Sequence, residues 1–316
     1  MGWWPSTSTV QCRCAAICGG WVWTRGDTPR TTGSGPIPTS TTLPATWTVS
    51  SRASTRTGAT FCTGFRGSVV DLDGRVALVT GGGTGLGRAT SLALDRAGAS
   101  VAVNYSRSRQ EAERVARQIS HRGGTALAVQ ADITDGSAVS LMVASVEERL
   151  GPVDVLVNNA GITRYIPFSD IDAITEEQWR RILDVNLTGA FLCSQAVAPG
   201  MVSRSAGKIV NIATNSAFTS TGSSIPYVVS KAALVSLTTC LARALAPAVQ
   251  VNAVAPGWMA TGWLDRYLPP ERAAEIRSGA LPLAPLEDVV DCLMGIVAND
   301  SITGHVAVVD RGEMLG

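Results

Sequence analysis

The chain has 316 residues, 45% of them apolar and 16% charged, with a formal net charge of +1. That length allows one large α/β domain or two ordinary ones. The even charge, with no basic stripe in residues 70–316, argues against a nucleic-acid partner, and no uninterrupted apolar run reaches the ~18 residues of a membrane span.

Residues 1–69 hold five of the eight Trp, four of the seven Cys, six Arg and a single acid, Asp27, among many Ser, Thr, Pro and Gly. No helical or alternating apolar period runs through them. The segment is therefore expected to be a disordered extension, or translated sequence upstream of the true start. An organelle transit peptide shares its Arg-rich, acid-poor character, but the amphipathic pattern is missing and Trp3, Trp4, Trp21 and Trp23 do not suit one. Cys12, Cys14 and Cys18 have no matching Cys/His pair at finger spacing, so no metal site is expected.

From Arg75 onward short β-branched runs alternate with longer segments of helical period, the signature of a parallel sheet with crossover helices. Strands are predicted at 75–80, 100–104, 125–130, 153–158, 207–213, 249–254 and 305–309. Helices are predicted at 85–98, 107–122, 136–150, 176–204, 227–246 and 287–298. Residues 70–316 are then one domain of α/β class, a doubly wound, seven-stranded parallel sheet with helices on both faces. The stretch 257–286, rich in Pro and aromatic residues, follows the sixth strand and is placed to act as a lid, because ligands of open α/β sheets sit beyond the carboxyl ends of the strands. Cys193, Cys240 and Cys292 lie in apolar helical contexts and are expected to be small buried hydrophobes in a reducing cytoplasm.

Two motifs carry chemistry. After the first strand comes Thr80-Gly81-Gly82-Gly83-Thr84-Gly85-Leu86-Gly87 and then a helix. Glycines permit a tight turn and close backbone approach, and a helix amino terminus presents unpaired N–H groups to a pyrophosphate. No Lys-Ser/Thr closes the loop, which disfavours nucleotide hydrolysis. Downstream, Tyr227 and Lys231 stand four residues apart, one turn on one helix face. A free phenol titrates near ~10, and a nearby ammonium favours the phenolate, moving it toward the working range. The chain contains 24 Arg and only two Lys, Lys208 and Lys231, so a compact ammonium was kept here against a strong preference for Arg.

Taken in order, the Thr80–Gly87 loop, Asp132-Ile133, Asn158-Asn159-Ala160-Gly161, Asn186, Tyr227-x3-Lys231 and Pro256-Gly257 resemble the short-chain dehydrogenase/reductase family over essentially all of residues 70–316. Within it the chain looks most like reductases of the 3-oxoacyl-carrier-protein type and their relatives acting on sugars, steroids and xenobiotic alcohols. The resemblance implies a Rossmann-like fold and a hydride transfer between a nicotinamide and a carbonyl or secondary alcohol. It implies Tyr227 as proton donor or base, Lys231 to depress its pKa and hold the nicotinamide ribose, and Asn186 to brace the active-site helix and hold a relay water. Gly81, Thr84, Gly85, Leu86 and Gly87 would cradle the dinucleotide, and Asp132 with Ile133 would meet the adenine. Asn158, Ala160 and Gly161 would lie at the adenosine-side ribose and sheet end; Pro256, Gly257, Met259 and Thr261 would lie on the carboxamide side. Thirteen residues before Tyr227, where relatives usually have a substrate-orienting serine, stands Thr214; it keeps the hydroxyl with a restricted rotamer, and Ser216 is a rival. Asp310-Arg311-Gly312 has Arg where relatives usually have Gly.

The second strand ends without an acid: Tyr105 occupies the likely acid position, and Ser106 and Arg107 offer a hydroxyl and a guanidinium suited to a 2′-phosphate. NADP(H) is therefore expected to be preferred, with NAD(H) usable. The expected partners are a small-molecule carbonyl or alcohol and further copies of the chain, because the apolar segments 176–204 and 227–246 exceed what one sheet face can cover and pair subunits in the family, as a homotetramer or homodimer. A different class of function, a binding or regulatory protein without turnover, is supported only by Thr214, Arg311 and the amino-terminal segment.

Overall fold

The computed structural model describes residues 70–315, and the expectations for residues 1–69 lie outside the described residues. Seven strands form one parallel sheet: β1 (Val76–Val79), β2 (Ser100–Tyr105), β3 (Ala126–Gln130), β4 (Val153–Asn158), β5 (Lys208–Ile212), β6 (Gln250–Pro256) and β7 (Val306–Val309). Their order across the sheet is β3-β2-β1-β4-β5-β6-β7. The chain reverses its direction of growth between β1 and β4, and a crevice opens there beyond the carboxyl ends of the strands. Central strands are apolar without alternation, as all four buried residues of β1 illustrate, because helices cover both faces.

The helices are α1 (Gly85–Arg96), α2 (Arg109–Ser120), α3 (Gly136–Leu150), α4 (Glu176–Leu183), α5 (Gly189–Ser203), α6 (Ser216–Thr219), α7 (Ile225–Leu245), α8 (Gly262–Tyr267), α9 (Pro270–Glu275) and α10 (Leu286–Val297). One core layer joins Leu94, Val103, Val115, Ile119, Val290 and Leu293, and the other joins Leu78, Met142, Leu156, Cys193, Met201 and Ile209. Each fully buried Leu or Ile contributes about 1.5–3 kcal/mol. Local signals set several helix starts. Asp135 accepts from the N–H groups of Ser137 and Ala138 to cap α3, and Thr175 with Gln178 forms a reciprocal capping box on α4.

The helix expected over 176–204 is interrupted. Five residues, Asp184–Thr188, form a π-helical turn between α4 and α5, and Asn186 sits inside it. By length and hydropathy the spans Glu176–Ser203 and Ile225–Leu245 could cross a bilayer, yet Cys193, Val197 and Met201 of the first and Ala242 of the second pack into a core layer. Cys193 is buried and Cys292 half-buried, but Cys240 is exposed on the outer face of α7, which corrects the expectation that all three are interior. The predicted lid contains two short helices, α8 and α9; Leu264 and Ala273 within them and Leu268 and Ile276 just after them form a small apolar cluster of their own.

Candidate active site

One cavity of about 900 Å³ opens at the carboxyl edge of the sheet. Its walls come from the loops after β1, β2, β3, β4, β5 and β6 together with α7 and α8.

The glycine loop forms one end. Gly81 holds φ +61, a region that residues with a side chain rarely adopt, and a Cβ at Gly87 would collide with the Gly81 carbonyl and the Asn159 amide. Gly87 itself does not line the cavity; it lets α1 seat closely, leaving Thr84, Gly85 and Leu86 on the wall. No side chain caps the start of α1, so its first N–H groups stay available. Such a cradle fits a dinucleotide pyrophosphate. Two residues tie it to the sheet. The Asn104 Oδ1 accepts from the Gly81 N–H at 3.4 Å, and the Thr80 Oγ1 accepts from the N–H groups of Asn159 and Ala160 at 3.0 Å each. Sequence reasoning missed Asn104, although a lone amide inside the run Val101–Tyr105 was a signal.

At the neighbouring end Tyr105, Ser106 and Arg107 line the cavity, but they do not present themselves alike. The Tyr105 ring is buried in the helix-side core with Ala112 and Val115, while Ser106 and Arg107 are exposed. Asp132 and Ile133 also line it. Burial raises the Asp132 carboxyl, but hydrogen bonds from Thr134 and the Arg181 guanidinium outweigh it and hold the group below its ordinary value.

The two asparagines after β4 divide their work. Asn158 is turned away from the cavity: its Nδ2 donates to Asn211 Oδ1 at 2.9 Å and Ser194 Oγ at 3.0 Å. These amides meet because Asn158 and Asn211 are register partners on β4 and β5, and Asn211 continues the chain to Thr238 of α7 at 2.9 Å. Asn158 thus ties the sheet to its helices, and Asn159 with Ala160 and Gly161 takes the wall position.

Asn186 also stays off the wall and braces it. Its Oδ1 accepts from the Ile162 N–H at 2.8 Å, and its Nδ2 donates to the Ile162 carbonyl and to Ser230 Oγ, each at 3.0 Å. Ser230 in turn donates to the Tyr227 carbonyl at 2.7 Å, so one amide joins the β4 loop to the first turn of α7.

Tyr227 and Lys231 both face the cavity from α7. The Lys231 Nζ donates to the Ile212 carbonyl at 2.6 Å, and burial pushes it down to about 8. Burial pushes the Tyr227 phenol up to about 12, opposed by a hydrogen bond with the Thr214 side chain. The depression by Lys231 expected from the sequence does not govern the phenol here, because the ammonium is held by Ile212 and the ring stands against Trp263, centroids 6.2 Å apart. Thr214 is buried beside the phenol, and its hydroxyl also has the Pro256 carbonyl within reach as an alternative acceptor at 3.2 Å. Ser216 lines the cavity two residues on and donates its N–H to Thr214 Oγ1 at 3.4 Å. Pro256, Gly257, Met259 and Thr261 complete the wall below the lid, and the Thr261 hydroxyl caps α8 by accepting from the Trp263 N–H.

A chain tail outside the predicted site supports this wall. Asn215 donates to Glu313 at 2.9 Å and to buried Asp310 at 3.4 Å. Burial and the neighbouring Asp310 raise the Glu313 carboxyl, against hydrogen bonds from Asn215 and Trp258. Arg311 holds φ 55 in the left-handed region, which explains why glycine suits this position and marks the arginine as strained.

Residues 75–271 match the family model described as short chain dehydrogenase. The chain is 40% identical over 251 residues to a 3-oxoacyl-acyl-carrier-protein reductase of Synechocystis, covering 77% of this chain and 98% of that protein. It is 38% identical over 242 residues to the corresponding reductase of Staphylococcus aureus, covering 75% and 96%. Among solved structures, a gluconate 5-dehydrogenase of Burkholderia cenocepacia in complex with NADP and tartrate superposes with a TM-score of 0.71 at 30% identity, covering 78% of this chain and 98% of that one.

Proposed function

The chain belongs to the short-chain dehydrogenase family, and on that premise we propose that it is a reductase of the 3-oxoacyl type, acting on a small carbonyl or the corresponding secondary alcohol and preferring NADP(H). The observation that carries this reading is the convergence of Tyr227, Lys231 and Thr214 on the same cavity as the glycine loop. A bound nicotinamide would supply or accept the hydride. Thr84, Gly85 and Leu86 would hold its pyrophosphate, Ser106 and Arg107 the phosphorylated ribose, and Thr261 and Met259 the carboxamide side.

In this reading the chain moves the proton. A phenol pushed up to about 12 is neutral at pH 7 and serves as donor to a carbonyl oxygen. Thr214, on the same cavity wall as that phenol, orients the same oxygen. Lys231, at about 8, is still largely protonated at neutral pH, and its charge favours the phenolate that remains after transfer. Asn186 and Ser230 are positioning residues that hold α7 to the β4 loop. Outer faces of α5 and α7 expose Phe191, Val202 and Val229, which supports pairing with further copies of the chain as a dimer or tetramer. Free cysteines at 193, 240 and 292 suit a reducing compartment.

The test is consumption of NADPH absorbance with a panel of ketones and 3-oxoacyl esters, run beside Tyr227→Phe. We expect turnover on at least one carbonyl class and a fall of ~10² or more in the variant, with cofactor affinity kept. Equal turnover by the two proteins would remove Tyr227 from the mechanism.

A further inference from the structure

Three arginines line the cavity, and their surroundings separate them. Arg181 is paired with Asp132 at 3.2 Å and donates to Thr134. Arg107, from the loop after β2, and Arg266, from α8, have no ion-pair partner among the described residues, and Asp265 beside Arg266 is taken by Arg277 at 2.6 Å. Both guanidiniums open on the same cavity as the Tyr267 phenol, which burial raises, a rise that Arg266 and Arg107 both oppose. Two cations without ion-pair partners on the wall of one cavity, carried by different elements, suit an anion bound between them. Ser106 adds a hydroxyl at the same place.

The rest of α8 gives this end a connection to the chemistry. Its cap Thr261 touches the phosphate loop, standing 3.8 Å from where a Cβ on Gly85 would lie. Trp263 packs between Tyr267, at 4.4 Å, and Tyr227, at 6.2 Å. Thus α8 is a strap across the cavity, from the glycine loop past the reacting phenol to the unpaired guanidiniums.

We infer that Arg266 is the lid-borne half of a phosphate clamp whose other half is Arg107, and that the dinucleotide's 2′-phosphate holds α8 in place, with Trp263 against Tyr227. The clamp rests on the cofactor preference proposed above. The 2′-phosphate is favoured over the pyrophosphate because Arg107 and Ser106 follow β2, where the adenosine ribose is read in such sheets, while the pyrophosphate belongs to the start of α1.

Calorimetric titration of the full chain and of Arg107→Ala, Arg266→Ala and Arg266→Lys with NADPH, NADH, adenosine 2′,5′-bisphosphate and 5′-AMP tests it, together with hydrogen exchange over residues 262–268. Arg266→Ala is expected to weaken NADPH and the bisphosphate about tenfold and to leave NADH and 5′-AMP within about twofold, with Arg266→Lys in between. The bisphosphate should slow exchange in α8 of the unaltered protein and not of Arg266→Ala. Loss confined to Arg107→Ala would overturn the clamp and leave the cofactor reading standing. Equal weakening of NADPH and NADH by Arg266→Ala would overturn the 2′-phosphate and put Arg266 on the pyrophosphate. No effect of Arg107→Ala on either cofactor would overturn the cofactor reading and the clamp with it.

Discussion

Replacing Asn186 by Ala separates bracing from chemistry. The side chain is 1% exposed and makes three hydrogen bonds, two to the backbone of Ile162 and one to Ser230. Alanine leaves the Ile162 N–H and carbonyl without their partner in a part-buried loop, at about 1–3 kcal/mol each. Ser230 keeps its bond to the Tyr227 carbonyl, so its loss adds little. The sum, about 2–6 kcal/mol, lowers the melting temperature by on the order of 10 °C in a domain of this size. Asn186→Asp should fall as far, because its second oxygen would face the Ile162 carbonyl where a donor stood. Urea unfolding of the cofactor-free protein reads the loss directly. A destabilisation below about 1 kcal/mol, with turnover still collapsed, would refute the bracing role and assign Asn186 to proton transfer itself.

Lys231 makes stability depend on pH with a definite sign. Its pKa is about 8 in the fold and 10.5 in the unfolded chain, so above pH 8 the unfolded state holds a proton that the native state has released, and stability rises toward pH 10 by about 2 kcal/mol. Below pH 8 the cost of burying the ammonium is constant; above pH 10, Tyr227, raised to about 12, pulls the other way. Urea midpoints at pH 7.5 and 10 should differ between the unaltered protein and Lys231→Met, and parallel profiles would contradict the argument. Thr214→Ser is expected to keep or raise turnover and Thr214→Ala to lower it substantially; a larger loss in Ser216→Ala would transfer the orienting role to Ser216. Arg311→Gly should exceed Arg311→Ala in stability by about 1 kcal/mol, since both lose the guanidinium but only glycine is unstrained at φ 55. Equal thermal midpoints would show that the turn relaxes.

Much of the sheet was legible because both-face burial writes itself as uninterrupted Val, Ala, Ile and Leu, and strand predictions such as 153–158 coincide with β4. The lid was legible only as a Pro- and aromatic-rich insertion. Its helices are six residues each, too short for an apolar period to register, and they are held by contacts among Leu264, Leu268 and Ile276. The π-helical turn at Asp184–Thr188 left no local trace, because the bonds that reward it run from Asn186 to Ile162 and Ser230.

The same division holds within the candidate site. Local sequence alone determined the glycine loop, the Tyr227–Lys231 spacing and the acid-free end of β2, because each depends on a few neighbouring residues and one helix or strand. Only the tertiary structure decided that Asn158 turns inward while Asn159 lines the cavity, that Tyr105 is core and Arg107 is not, and that Arg266 and Arg107 line the same cavity. Those outcomes depend on which side chains from distant strands and helices arrive together, and a buried amide or an unpaired guanidinium acquires its role from the partner that the fold delivers.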